Sequence, residues 1–335
     1  MFIVSSYGVA VCLCIITMIC WGSWGNTQKL VSTKWRYELF YWDYAIGMLL
    51  FSIIMAFTLG STGENGRPFM EDFNQAGSDN LISACIGGVI FNASNILLSA
   101  SVSMAGMAVA FPLGVGLALV LGVFINYFTA PQGNPLVLFW GVGLIVIAMV
   151  LNGLAANKKE QNKENAGKAK KGIILASVAG ILMSFFYRFV AVAMDLDHFE
   201  APTRGMITPY TAFVLFSAGV FTSNFIFNTL IMKKPFEGTP ISYKDYFQGS
   251  VSSHMVGILG GMVWALGTLF SYIAAGKAGT AISYALGQGA PMIAAIWGIF
   301  IWKEFKGAPS GINKFLVFMF LFFLIGLGLI VYAGM

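Results

Sequence analysis

Charge is what this chain has least of. Only 10% of its 335 residues are Asp, Glu, Lys or Arg, where a water-soluble domain carries about a quarter. Two histidines and four cysteines leave little material for a metal site, which needs clustered ligands at a recognised spacing. Cys12, Cys14, Cys20 and Cys85 all fall inside apolar runs, so they are expected to be reduced buried thiols rather than disulfides in an oxidising loop. A phosphate loop is missing too. The run GKAGTAISYALGQGAP from Gly276 places a glycine, a lysine and a threonine close together, but Ser271 stands where the first glycine belongs and Ala278 where the hydroxyl residue belongs. No catalytic constellation occurs within the apolar runs, neither paired carboxylates nor a Ser/His pair. These absences argue against a nucleotide-driven pump and an intramembrane enzyme, and no cofactor is expected.

Hydrophobicity is abundant instead, at 58% of residues. Apolar runs of about twenty residues, each long enough to cross a ~30 Å hydrocarbon layer as a helix, recur at 7–30, 39–60, 81–104, 107–128, 136–156, 172–194, 210–232, 253–276, 279–301 and 313–334. The expected fold is an all-α polytopic membrane protein with ten transmembrane helices. The N-terminus has no basic stretch and no clear small-residue cleavage site, so the first helix is expected to be retained. Fifteen of the nineteen lysines and arginines lie in odd-numbered connections. The positive-inside bias therefore predicts both termini outside the cell membrane and the linker 157–171 in the cytoplasm. In that linker lysines alternate with Glu160, Glu164 and polar residues. This is the pattern of a solvated hinge rather than of a nucleic-acid or anionic-lipid site.

The linker divides the spans five and five, with halves at 1–156 and 172–335. Shifting the chain by 173 residues aligns the segment from Gly87 with the one from Gly260 without a gap. Gly87, Gly88, Ala105, Gly106, Ala108, Gly114 and Gly116 then meet Gly260, Gly261, Ala278, Gly279, Ala281, Gly287 and Gly289. Small residues let helix backbones approach in a membrane, where no hydrophobic force drives helices together. An odd number of helices per half inserts the two copies in opposite senses. The expectation is an inverted repeat, with a solute site near the midplane.

These residues resemble the drug/metabolite transporter superfamily, and within it the ureide permeases and the related glucose and rhamnose uptake proteins. The resemblance is carried by YWDYAIGMLLFSIIMAFTLG from Tyr41, by Asn126-Tyr127-Phe128 and by Trp302-Lys303-Glu304-Phe305. The short central linker departs from the plant ureide permeases, where it is much longer. The resemblance implies a proton-coupled secondary transporter that takes up a ureide, a nucleobase-like compound or a monosaccharide by alternating access. An exporter of drugs or metabolites is the rival within the same superfamily. The solute, the coupling ion and the oligomeric state stay open.

Polar groups in hydrocarbon are costly and usually face the bundle interior. Asn92 and Asn95 share a helix face and offer amide donors and acceptors to a neutral solute, or else bind neighbouring helices. Trp21 and Trp24 in CWGSWGN offer faces that stack on sugar rings or heterocycles, or else belong to an interfacial belt. Trp264, Ser184 and Tyr187 are expected across the cavity from them, with Tyr272, Ser283, Tyr284 and Gln288 nearer the outer surface. Asp43 and Arg188 are the candidate coupling residues. Asp195, Asp197, His198 and Glu200 read as a solvated outer rim rather than metal ligands, and His254 as an interfacial residue.

Overall fold

A computed structural model describes residues 1–31, 35–105, 107–159, 166–236, 238–303, 305–306 and 311–335. Gly106, Glu160, Lys163, Glu164 and Glu304, on which parts of the repeat, linker and motif readings rest, lie outside the described residues.

The chain is helical throughout, with no strand among the described residues. Helices α1 (Tyr7–Ser23) and α2 (Gly25–Leu30) form the first span, and α3 (Tyr37–Phe57) the second. A short α4 (Phe69–Gln75) precedes α5 (Ser78–Ala105), α6 (Met107–Thr129) and α7 (Pro135–Lys159). The second half holds α8 (Ala166–Ala191), α9 (Pro209–Lys233), the short α10 (Tyr243–Phe247) and α11 (Val251–Ala278). It closes with α12 (Thr280–Gly287), α13 (Ala290–Ile296), a π-helical turn at Trp297–Ile301 and α14 (Ile312–Ala333). Among the described residues nine segments are long and apolar enough to cross a membrane, and Leu113–Thr129 of α6 is a shorter tenth. The protein is a multi-pass helical membrane protein.

Local chemistry sets the helix starts. Thr208 caps α9 ahead of Pro209, whose missing N–H costs nothing in the first turn. Ser250 caps α11, and Ser242 with Asp245 makes a reciprocal capping box on α10. The α11–α12 turn is made by Gly279 at φ 81°, a left-handed conformation that glycine adopts without strain.

Close backbone crossings organise the bundle, and they occur in related pairs. A Cβ on Gly88 would lie 2.0 Å from the Phe216 carbonyl oxygen, and one on Gly261 would lie 2.0 Å from that of Tyr44. Likewise Gly219 abuts the Cys85 carbonyl at 2.2 Å and Gly47 that of Ile258 at 2.1 Å. Exchanging α5 with α11 and α9 with α3 turns each contact into its partner. On α7 and α14, Gly141 faces the Gly326 carbonyl and Ile330, while Gly326 faces the Gly141 carbonyl and Ile145. No side chain larger than hydrogen fits at these crossings.

The two ends of the bundle differ. At the end carrying the chain termini, the loops are stitched together. Arg67 Nη1 donates to buried Asp72 at 2.8 Å and Nη2 to the Pro202 carbonyl at 2.5 Å, while Thr208 N donates to the other Asp72 oxygen at 2.8 Å. At the opposite end, the linker end, α3, α5 and the α9–α10 connection enclose a pocket of about 220 Å³.

Candidate functional site

Five helices meet at Trp264, which is 5% exposed. Its ring centre lies 4.5 Å from Phe91 of α5, 5.7 Å from Trp21 of α1, 5.9 Å from Phe216 of α9 and 6.3 Å from Tyr44 of α3. Trp21 stacks on it at an interplanar angle of 10°, held there because its indole N–H donates to Thr268 Oγ1 at 3.0 Å. From this hub an aromatic column runs to the linker end. Trp24 lies 4.8 Å from Tyr44, Tyr44 5.3 Å from Tyr41, and Tyr41 5.4 Å from Tyr37. Tyr37 in turn lines the 220 Å³ pocket with Arg36, Glu38, Ser99, Ile231 and Phe236. Arg36 and Glu38 form an ion pair at its mouth.

Polar atoms flank this apolar surface. Asn95 Nδ2 donates to the Tyr41 hydroxyl at 3.2 Å, tying α5 to α3. Asn92 Nδ2 donates to Ser223 Oγ at 2.9 Å and to the Val220 carbonyl at 3.2 Å. Asn92 Oδ1, the Tyr44 hydroxyl and both amide atoms of Asn224 have no hydrogen-bond partner among the described residues. A buried polar atom without a partner costs about 1–3 kcal/mol, so each such atom calls for a partner such as water or a solute.

Toward the terminus end the core is sealed by hydrogen bonds. The Tyr187 hydroxyl lies 3.1 Å from the Ser271 carbonyl and 3.2 Å from Ser283 Oγ. Tyr272 and Tyr284 pack on its ring, each at 5.4 Å, and Tyr284 donates to the Ala118 carbonyl at 3.0 Å. Gln288 is buried, and Ser184 donates to the Ile181 carbonyl on its own helix. Phe216 bridges the two groups, 6.1 Å from Tyr272. The structure therefore stacks Trp21 on Trp264 at the hub and sets Trp24 and Asn95 against the aromatic column. It places Ser184, Tyr187, Tyr272, Tyr284 and Gln288 on the sealed side and turns the Asn92 amide onto α9.

Asp43 is fully buried and is met by two partners that its sequence neighbourhood does not reveal. His254 Nδ1 lies 2.8 Å from Asp43 Oδ1, and the Tyr246 hydroxyl donates to the same oxygen at 2.6 Å. Trp35 packs edge-on to the His254 ring at 4.9 Å. Burial, reinforced by the adjacent carboxylate, pushes the Tyr246 phenol above its ordinary pKa, so it stays a proton donor. His254, in the first turn of α11, is thus a partner of a buried carboxylate. Arg188 is exposed on α8. In the loop 194–208, burial opposes ionisation of Asp195. Hydrogen bonds from Thr203 and the nearby His198 outweigh this and hold its carboxyl below the usual range. No group of residues suited to a metal ion occurs among the described residues.

The ureide permease family model matches residues 40–171 and 157–333. The chain belongs to the ureide permease family. Ureide permease 1 of Arabidopsis thaliana is 23% identical, with 98% of each chain covered. Ureide permease 4 of the same plant is 24% identical over 96% of each. The probable glucose uptake protein GlcU of Priestia megaterium is 25% identical over 62% of this chain and 64% of its own. A solved crystal structure overlays at a TM-score of 0.63 with 13% identity, covering 97% of this chain and 96% of the other, and shares its fold. This ureide permease family member is a membrane uptake permease for small solutes and not an enzyme. Asn224, Tyr246 and His254 are residues of this region that the sequence reading did not single out as candidates.

Proposed function

We propose that the protein takes up a small, uncharged polar solute, a ureide, nucleobase-like compound or monosaccharide, by proton-coupled alternating access between two inverted five-helix halves, 1–156 and 172–335. The observation that carries this reading is the Trp264 hub. A mid-bundle aromatic surface built from five helices, flanked by neutral amides and hydroxyls, suits a solute with a flat or sugar-like face and no net charge. The names of the relatives point to the same solutes, ureides for one group and glucose for the other.

The paired glycine crossings support the inverted halves, because two copies of one packing scheme meet in exchanged roles. With the linker in the cytoplasm, the 220 Å³ pocket and the aromatic column form the inward route. The Arg67–Asp72 loop lock and the Tyr187–Ser271–Ser283 bonds close the outward one. Outward opening must exchange these two sets of contacts. The basic-residue distribution supports both termini outside the plasma or inner membrane. Cysteine reactivity toward an impermeant maleimide tests this orientation. A cysteine added at the C-terminus labels in intact cells; labelling only after lysis contradicts it.

Asp43, His254 and Tyr246 are the proposed proton-handling group. A buried carboxylate hydrogen-bonded to an imidazole offers a proton two neighbouring sites, and gaining or losing that proton changes the local charge. Its position transmits that change to the hub. A Cβ on Gly257 would lie 2.5 Å from Asp43 Cβ, and the next residue, Tyr44, contacts both Trp24 and Trp264. Uptake of labelled allantoin, uracil and D-glucose by a transport-deficient host tests the reading. At least one solute accumulates above its external concentration, and a protonophore removes the accumulation. Uptake of none of them contradicts the solute class, and protonophore-resistant accumulation contradicts proton coupling.

A further inference from the structure

Asn224 is fully buried in the membrane-spanning helix α9, yet neither its Nδ2 nor its Oδ1 has a hydrogen-bond partner among the described residues. The other buried asparagines around it are engaged. Asn228 Nδ2 donates to the Glu38 carbonyl at 2.7 Å, Asn92 to α9 and Asn95 to Tyr41. Interhelical bonding, the usual role of an amide in a bundle, therefore does not account for Asn224.

Its helical register says where the side chain lies. Phe216, Gly219 and Ser223 are the α9 residues that meet α5, whereas Asn228 and Met232 meet α3. At 100° per residue Asn224 falls between these two faces, toward the crevice that α3 and α5 share. Two turns along the same face is Ile231, a wall of the linker-end pocket. The Tyr44 hydroxyl and Asn92 Oδ1, also buried without partners, belong to the two helices that form this crevice. The corresponding position in the first half, Ser52, donates to the Leu49 carbonyl of its own helix at 2.8 Å. The unpaired amide is thus a property of the second half alone.

We propose that Asn224 is a solute-binding residue, presenting one donor and one acceptor to a neutral solute that lies against the Trp264 hub. The assignment rests on the transport reading above and adds to it a specific polar contact. A carboxamide satisfies best a solute edge that itself offers a donor beside an acceptor, such as an N–H next to a C=O or a vicinal hydroxyl pair. A fixed amide also discriminates strongly, because a solute lacking that edge leaves both amide atoms unpaired in the bound state.

The test compares wild type with Asn224→Leu, similar in volume and without polar atoms. Uptake kinetics are measured for allantoin, uracil and D-glucose, and the solute-free Tm in detergent. The expected result is a KM raised about tenfold or more for every transported probe, with a Tm equal to or above that of wild type. An unchanged KM overturns the assignment. So does a lowered Tm, which would mean that the amide has a structural partner. If Asn224→Leu does not reach the membrane, Asn224→Ser is judged by the same two criteria. Wild-type uptake with an unaltered variant KM sinks only the assignment. Wild-type uptake of none of the three probes contradicts the solute class of the transport reading, and the assignment that rests on it falls with it.

Discussion

Replacing Asp43 by asparagine abolishes uphill accumulation while leaving solute exchange running. The substitution keeps the shape and one acceptor oxygen, so the Tyr246 hydroxyl can still donate at the position it now occupies 2.6 Å from Oδ1. What is lost is the ability to gain and release a proton beside His254, whose Nδ1 sits 2.8 Å away. A carrier whose binding cycle no longer includes a proton only equilibrates its solute, so the internal-to-external ratio falls to about one. Exchange of preloaded solute does not require net proton movement, and its rate stays within about threefold of wild type, a change of less than 1 kcal/mol in the barrier. Wild-type accumulation also rises as external pH falls, whereas the Asp43→Asn profile is flat. Side-by-side measurement of accumulation and exchange against pH checks this. If the variant still accumulates solute, the Asp43–His254–Tyr246 group is not the coupling site.

The second large effect is expected at Trp264. Trp264→Ala removes the ring that Trp21, Tyr44, Phe91 and Phe216 all touch. Truncating a buried tryptophan costs about 3–5 kcal/mol, so little folded transporter is expected to survive. Trp264→Phe is the informative change. It keeps an aromatic face against Phe91 at the point where the rings are now 4.5 Å apart. It shortens the stacking surface offered beside Trp21. Transport survives with KM raised about fivefold, in line with the ~1 kcal/mol that an aromatic contact is worth beyond its area. A Tm close to wild type would show that the loss is one of binding. A wild-type KM for Trp264→Phe would mean that the hub is only packing.

Much of this arrangement is legible in the chain itself. Of the ten apolar runs, nine are long apolar spans among the described residues and Leu113–Thr129 is a shorter one, and the glycines shared by the segments from Gly87 and Gly260 mark where backbones touch. Trp264 is marked by its place in the aligned hairpin. Other features are invisible to periodicity because they depend on contacts between distant residues. The partners of Asp43 lie 203 and 211 residues away, so His254 at the start of α11 reads as an interfacial side chain until the helices are packed. The first span is interrupted at Trp24 and the ninth between Gly287 and Ala290, and there Gly22 packs closely on the Ala290 carbonyl. For Asn224 a signal does exist. Ser217, Asn224 and Asn228 are spaced seven and four apart on α9, a polar stripe on one face of an otherwise apolar helix. Spacing alone does not separate the bonded Asn228 from the unbonded Asn224.

Counterflow in liposomes containing only the purified protein tests the central claim most directly. Vesicles are loaded with unlabelled solute and diluted into a trace of the same labelled compound, for allantoin, uracil and D-glucose in turn. The account predicts that at least one labelled solute accumulates transiently and then decays. It also predicts that Asp43→Asn preserves this overshoot and that an ionophore collapsing the proton gradient does not remove it. Absence of an overshoot for all three, with the protein folded and inserted, would contradict the assignment of this chain as a carrier for neutral polar solutes.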